Sequence, residues 1–157
     1  MNILCTLLPI AALCGEAEIP DDLSVYAGKS PFEYVNGYRL FDVPRVDLAL
    51  KLYGGDDGRD FLDGLDAATG FTLRDGALIA GLCLKDDCAS ANAAVAIARD
   101  GSLVALCTYA EEEDHGAKPG YVHWAGPNLN RTFLYTARDA CPQEPGLFID
   151  RYASISR

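Results

Sequence analysis

The sequence predicts an α+β fold in which helices come first and an antiparallel β-meander follows. Apolar residues recur at helical spacing just after residue 42, whereas extended apolar segments begin at residue 77. An Asp100-Gly101 pair stands between two of these segments, as in the turn of a β-hairpin. The chain has 157 residues, 50% of them hydrophobic, which is enough for one domain with its own core.

The first predicted helix follows Asp42, which is expected to cap its N-terminus, and carries Pro44 in its first turn. One face repeats apolar side chains at helical spacing: Val43, Val46, Ala49, Leu50 and Tyr53. Gly54 and Gly55 are expected to end this helix. A second short helix is predicted over residues 59–65, with inward-facing Phe61, Leu62 and Leu65.

Five extended segments are predicted to form the sheet: residues 77–83, 93–98, 103–109, 121–124 and 132–136. The first two are joined by a loop that contains Cys83 and Cys88 and is expected to project from the sheet. Trp124 is predicted to be a core anchor. His123 beside it is expected to be a strand residue and not a catalytic base.

Residues 3–13 are mostly apolar, a stretch too short to span a hydrocarbon core of about 30 Å but suited to a signal peptide. Gly15 and Ala17 supply the small residues that a cleavage after Ala17 requires. The expected organisation is a removable leader over residues 1–17 and a single domain over residues 18–157. Because the leader lacks Lys and Arg, a buried strand or a misassigned start codon is the alternative.

Six cysteines are present, and removal of the leader would leave four: Cys83, Cys88, Cys107 and Cys141. An even number in an exported domain predicts two disulfides, for which three connectivities exist in principle. Cys83 and Cys88 are close enough in sequence to close a small loop, and Cys107 would then pair with Cys141 over a longer one. No zinc-type spacing or Cys-x-x-Cys redox motif occurs. Lipidation of Cys14 is a further alternative.

The charge balance is acidic, with 13 Lys and Arg against 23 Asp and Glu, a net charge of −10. This balance excludes a nucleic-acid-binding protein that relies on a general basic surface, and it favours a basic protein partner. The run from Glu111 to Asp114 is expected to be a solvated loop, with a docking patch for such a partner as the alternative.

The sequence contains no phosphate-binding glycine loop, dinucleotide motif, EF-hand spacing or Gly-x-Ser-x-Gly elbow. We therefore expect no cofactor and no metal, and a binding protein, not an enzyme. A hydrolase that uses two carboxylates is the alternative, although no spacing singles out one pair among the 23 acidic residues.

Residues 76–124 resemble the family of inhibitors of vertebrate lysozyme (Ivy) in the order of a strand, a Cys-x₄-Cys loop, a hairpin and a Trp-bearing strand. The family motif Cys-Lys-Pro-His-Asp-Cys corresponds here to Cys83-Leu84-Lys85-Asp86-Asp87-Cys88. Three other segments are similar to uncharacterised bacterial relatives of that family: Pro31-Phe32-Glu33-Tyr34-Val35-Asn36-Gly37, Asp42-Val43-Pro44-Arg45-Val46 and Asp139-Ala140-Cys141-Pro142.

The resemblance implies an exported bacterial protein, periplasmic or secreted, with an antiparallel sheet, helices packed on one side of it and disulfides that staple the fold. It also implies that the loop enters and blocks the active-site cleft of a basic c-type lysozyme through Leu84, Lys85, Asp86 and Asp87. A protein of the same fold that binds another partner, without lysozyme inhibition, is the alternative function.

Asp86 stands where the family has a His that reaches the catalytic carboxylates of the lysozyme. An ionised Asp86 would bring a third negative charge to that cleft, a repulsion of about 4 kcal/mol at about 4 Å and an effective dielectric near 20. Two arrangements avoid this repulsion. Either Asp86 is protonated and donates a hydrogen bond, or Lys85 replaces the His as the cation.

Overall fold

The computed structural model describes residues 18–111, 119–136 and 141–157, whose centre is a seven-stranded antiparallel sheet. The strands are β1 (Ala67–Ala68), β2 (Thr72–Arg74), β3 (Ala77–Cys83), β4 (Ala91–Ala98), β5 (Leu103–Glu111), β6 (Pro119–Gly126) and β7 (Leu129–Thr136). The helices are α1 (Pro44–Gly64) and α2 (Pro145–Ile155), with short 3₁₀ turns at Leu23–Tyr26 and Leu40–Asp42. The predicted α+β class is confirmed.

The strands form a meander in the order β1-β3-β4-β5-β6-β7, and β2 also pairs with β3. β3 has the predicted bounds, and the other four predicted strands are present but longer. The hairpin turn between β4 and β5 is also as predicted, because Gly101 has φ +94° and the Asp100 carboxylate accepts a hydrogen bond from Ser102 N at 2.9 Å. The short strands β1 and β2 were not predicted.

Helix α1 consists of two helical halves that meet at a break, as the two predicted helices and the glycines between them indicated. Gly55, with φ 71° and ψ 175°, leaves the helical conformation, and the chain then resumes the helix as far as Gly64. The predicted cap is wrong: Val43 occupies the N-cap position and makes no side-chain cap bond. The Asp42 carboxylate is instead bound by Arg39, at 2.6 Å, and by Arg59, at 3.1 Å.

Arg59 is a buried cation on the second half of α1, with only 5% of its surface exposed. Its guanidinium lies 3.1 Å from Asp42, 3.1 Å from Asp47 and 2.6 Å from Asp63. Asp47 belongs to the first turn of α1 and Asp63 to its last, so Arg59 connects the two halves of the helix across the break.

Both faces of the sheet are covered by helices, so the prediction of helices on one side is wrong. The α1 face carries Leu78, Val95 and Leu106. The opposite face carries Ile79 and Ala96 among others and packs against α2. The physical reason lies in β3 and β4, which are buried at successive positions. Because successive side chains point to opposite faces, such strands need a cover on both sides.

Helix α2, which was not predicted, supplies this second cover. It begins at Pro145, and the Glu144 carboxylate accepts hydrogen bonds from the first backbone N–H groups, Gly146 N at 3.0 Å and Leu147 N at 2.7 Å. Phe148 stacks on Trp124 with ring centroids 5.3 Å apart. Trp124 is 3% exposed, as a core anchor should be.

Several predicted features lie outside the described residues: the leader with Cys5 and Cys14, the acidic residues Glu112, Glu113 and Asp114, and also His115, Asp139 and Ala140. In the described part of the chain, no helix has the length and apolar character needed to cross a membrane.

Candidate partner-binding loop

Two disulfides join the cysteines that sequence spacing favoured. Cys83 and Cys88 close the loop between β3 and β4, with their Cα atoms 4.8 Å apart. Cys107 on β5 joins Cys141, which lies 34 residues later, with a Cα–Cα distance of 5.6 Å. The longer bridge is buried in the core beneath α2, whereas the shorter one shapes an exposed loop.

Backbone hydrogen bonds stabilise the loop. Leu84 N donates to Ala91 O at 3.2 Å and so continues the pairing of β3 with β4. Asp87 N donates back to Leu84 O at 3.1 Å, and Ser90 N donates to Asp87 O at 3.2 Å. The chain between the two cysteines is therefore a compact turn.

Asn92, which the sequence did not single out, supports the loop from within the sheet. Its side chain is 7% exposed, and its Nδ2 donates to Cys88 O at 2.9 Å. In the register of β3 with β4, Asn92 lies opposite Cys83. Asn92 thus connects the Cys88 end of the short disulfide to the sheet, a role that has no local sequence signature.

The four residues predicted to contact a partner differ in what their side chains do. Leu84 is half-buried and packs against the core under α1, so it anchors the loop. The Asp87 carboxylate accepts a hydrogen bond from Ser90 N at 3.2 Å and stabilises the turn. Lys85 and Asp86 are exposed, and their side chains make no hydrogen bond or ion pair within the described residues. The surface available to a partner is therefore a two-residue tip of opposite charges.

Further acidic residues flank this tip. Asp66, just after α1, accepts a hydrogen bond from Lys85 N at 2.7 Å through its Oδ1. On the other side, Glu111 N donates to Ser90 O at 2.8 Å, which places the end of β5 beside the loop. Asp66 was missed because only the tertiary fold brings it to the loop. Together with Asp87 these residues make the base of the tip acidic.

A groove of about 350 Å³ lies on the α1 face between the broken part of α1 and strands β5 and β6. Its polar lining includes Asp57, Thr108 and His123. His123 Nδ1 lies 3.0 Å from Thr132 Oγ1, and burial lowers the pKa of His123, which favours the neutral imidazole.

Among the residues that the structure describes, no group of three or more His, Cys, Asp or Glu side chains is arranged to hold a metal ion. Comparisons with family models, with curated proteins and with solved structures found no match to this chain. The resemblance to the Ivy family therefore stays a prediction. Two disulfides in a domain of this size are typical of proteins that fold outside the reducing cytoplasm.

Proposed function

We propose that this protein is an exported inhibitor, periplasmic or secreted, that blocks the cleft of a basic c-type lysozyme with its Cys83–Cys88 loop. The observation that carries the proposal is the tip itself: Lys85 and Asp86 are exposed and unengaged by the described residues on a loop already fixed by a disulfide and backbone hydrogen bonds. A loop that is ordered before binding loses little conformational entropy when it enters a cleft.

The charges around the loop support a basic partner. Asp66, Asp87 and Glu111 surround the base of the tip, and the whole chain carries a net charge of −10. Such a field accelerates the encounter with a basic protein and weakens as the salt concentration rises. We therefore expect the rate of association to fall between low and moderate ionic strength.

Within the cleft, Lys85 takes the part that the His plays in the family motif. A glycosidase of this class works with two carboxylates that flank the scissile bond. The ammonium group of Lys85 offers them a cation, so that Asp86 need not lie between the two carboxylates. This arrangement avoids the repulsion of about 4 kcal/mol that Asp86 would meet between the two carboxylates.

The test is lysozyme turnover at low and moderate salt with an excess of this protein, comparing wild type with Lys85→Ala. Lys29→Ala is the matched control. Lys29 is also exposed, but it lies outside the loop, and its ammonium group is 3.7 Å from the Glu33 carboxylate. We expect Lys85→Ala to weaken inhibition at least about tenfold, the loss of one charge-assisted contact, and Lys29→Ala to leave it unchanged. Absence of inhibition for every c-type lysozyme tested would refute the proposal.

One alternative function is favoured by Asp86, which stands where the family has a His. In this alternative, the same tip binds a basic protein other than lysozyme. A pull-down from periplasm or host fluid distinguishes the two functions. Capture of a protein other than lysozyme that is lost in Lys85→Ala, together with no effect on lysozyme turnover, would support the alternative.

If the protein inhibits lysozyme, Asp86→His should strengthen the inhibition. Asp75→Asn, at the exposed turn between β2 and β3, is the control for the loss of a negative charge.

A further inference from the structure

The two edges of the sheet differ in how they end. On one side, the short strands β1 and β2, of 2 and 3 residues, cover the outer side of β3. On the other side, β7 is 8 residues long, and no strand in the described part of the chain pairs with its outer side. A long edge strand with free backbone groups is a template for pairing with another strand, and short edge strands are a common protection against it.

The backbone groups that β7 offers follow from its hairpin with β6. The pair Gly126–Leu129 flanks the tight turn between the strands and must be hydrogen-bonded to close it. Bonded and non-bonded pairs alternate along antiparallel strands, so the pair His123–Thr132 is non-bonded, which also suits its 3.0 Å side-chain contact. The backbone N–H and C=O of Thr132 therefore point away from β6, toward the free edge.

The side chains of β7 leave this edge accessible. Asn130, Arg131, Thr132 and Phe133 are all exposed, and because neighbours point to opposite faces, neither face is covered here. Arg131 is the only charged residue of the strand in a chain whose net charge is −10. The edge thus lacks the acidic repulsion that the rest of the surface would impose on a second copy.

We propose that two copies of this protein pair antiparallel through β7, about a two-fold axis at Thr132. In this register Thr132 faces Thr132 of the second copy, and each Arg131 faces Phe133 of the second copy. Thr–Thr pairs stabilise antiparallel strands, and a guanidinium over an aromatic ring adds a cation–π contact, here twice by symmetry. An axis at Arg131 would instead place two like charges opposite each other.

The association is expected to be weak, because one strand pair buries less than the roughly 1,600 Å² of a standard interface. Sedimentation velocity from about 10 µM to 1 mM covers the corresponding range of dissociation constants. Phe133→Lys sets a second cation opposite each Arg131 and should raise the dissociation constant at least about tenfold. Leu73→Lys, at a residue 43% exposed on β2, is the matched control and should leave association unchanged.

A cross-linking experiment tests the register. Opposed residues of a bonded antiparallel pair have Cα atoms about 5.5 Å apart, which suits a disulfide. Thr132→Cys should therefore form covalent dimers on mild oxidation, whereas the Asn130 positions of the two copies lie roughly 14 Å apart and Asn130→Cys should not. The wild-type chain under the same oxidant gives the background from its native cysteines.

Three results would overturn the proposal. The first is a monomer at every concentration up to about 1 mM, in which case an extended segment of another protein would be the expected partner of the β7 edge. The second is equal cross-linking of Thr132→Cys and Asn130→Cys, and the third is a dimer that persists unchanged in Phe133→Lys. Circular dichroism of each variant establishes that it is folded.

Discussion

The two faces of the sheet are held against their helices by different means. On the α1 face, a helix of 21 residues and two 3₁₀ turns pack large aliphatic side chains onto the sheet, and the buried Arg59 ties the helix together. On the α2 face, a helix of 11 residues meets several alanines, one aromatic stack and the Cys107–Cys141 disulfide.

The difference shows what each helix can bury. The two halves of α1 together remove many large aliphatic side chains from water, and neither half carries a disulfide. A short helix against alanines removes less, since an alanine side chain contributes a single methyl group. The disulfide therefore lies on the face where apolar burial is smaller, next to the segment that leads into α2.

The largest effect is expected from removing that disulfide. Replacing Cys107 and Cys141 together by Ala should lower the free energy of unfolding by about 4 kcal/mol, from the closure entropy of a loop with a sequence separation of 34. Urea unfolding measures this loss, and hydrogen exchange should become faster in α2 before it does in α1.

The matched control replaces Cys83 and Cys88 together by Ala. The sequence separation is only 5, so the same entropy argument gives about 2 kcal/mol. Equal losses in the two double variants would contradict the comparison between the faces, because the long bridge would then have no special part in holding α2.

On the α1 face, the corresponding change is Arg59→Met, which keeps an unbranched apolar stem and removes the charged guanidinium. Three carboxylates, those of Asp42, Asp47 and Asp63, then lose their buried cation. We expect a loss of about 3 kcal/mol in the free energy of unfolding, at the lower end of the range for broken buried pairs because the carboxylates are partly exposed.

Lys51→Met is the control for Arg59→Met. Lys51 also pairs with Asp47, at 2.9 Å, but its side chain is 45% exposed, so its loss should cost about 0.5 kcal/mol or less. If both variants lost the same stability, the burial of Arg59 would have no energetic role, and apolar packing alone would hold α1.

Local sequence patterns predicted the regions whose contacts are local. The bounds of β3, the turn at Asp100 and Gly101, and the pairing of Cys83 with Cys88 each depend on residues that are close in the chain. Helix α2 was missed although Glu144 and Pro145 are typical of a helix start. The alanine-rich β4, which is apolar at every position after Asn92, also indicated burial on both faces, a pattern that a one-sided sheet would not show.

The features that escaped prediction depend on contacts between distant residues. Asp42 suits a helix cap by its position, but Arg59, 17 residues away, engages its carboxylate. In the candidate site the disulfide-closed loop was predicted from sequence, whereas the division of its residues into anchor, turn and tip depends on Asn92 and on the core packing of Leu84. Such roles follow from tertiary structure and leave no periodic signal.

The smallest effects are expected from two glycine substitutions in α1, which distinguish the cost of an unfavourable backbone conformation from the cost of side-chain packing. Gly55→Ala should lower the free energy of unfolding by about 1–3 kcal/mol, because φ 71° with ψ 175° is a conformation almost restricted to glycine. An added Cβ there meets no atom within 4 Å, so the cost comes from the backbone alone. Thermal or urea unfolding measures the difference.

Gly58→Ala is the opposite case three residues later in the same helix. Its Cβ would lie 3.7 Å from Leu106 Cδ2, an ordinary contact, in a helical backbone. Alanine is favoured over glycine in a helix by up to about 1 kcal/mol, so this variant should be more stable than wild type. A stable Gly55→Ala with a destabilised Gly58→Ala would contradict the assignment of the break to Gly55.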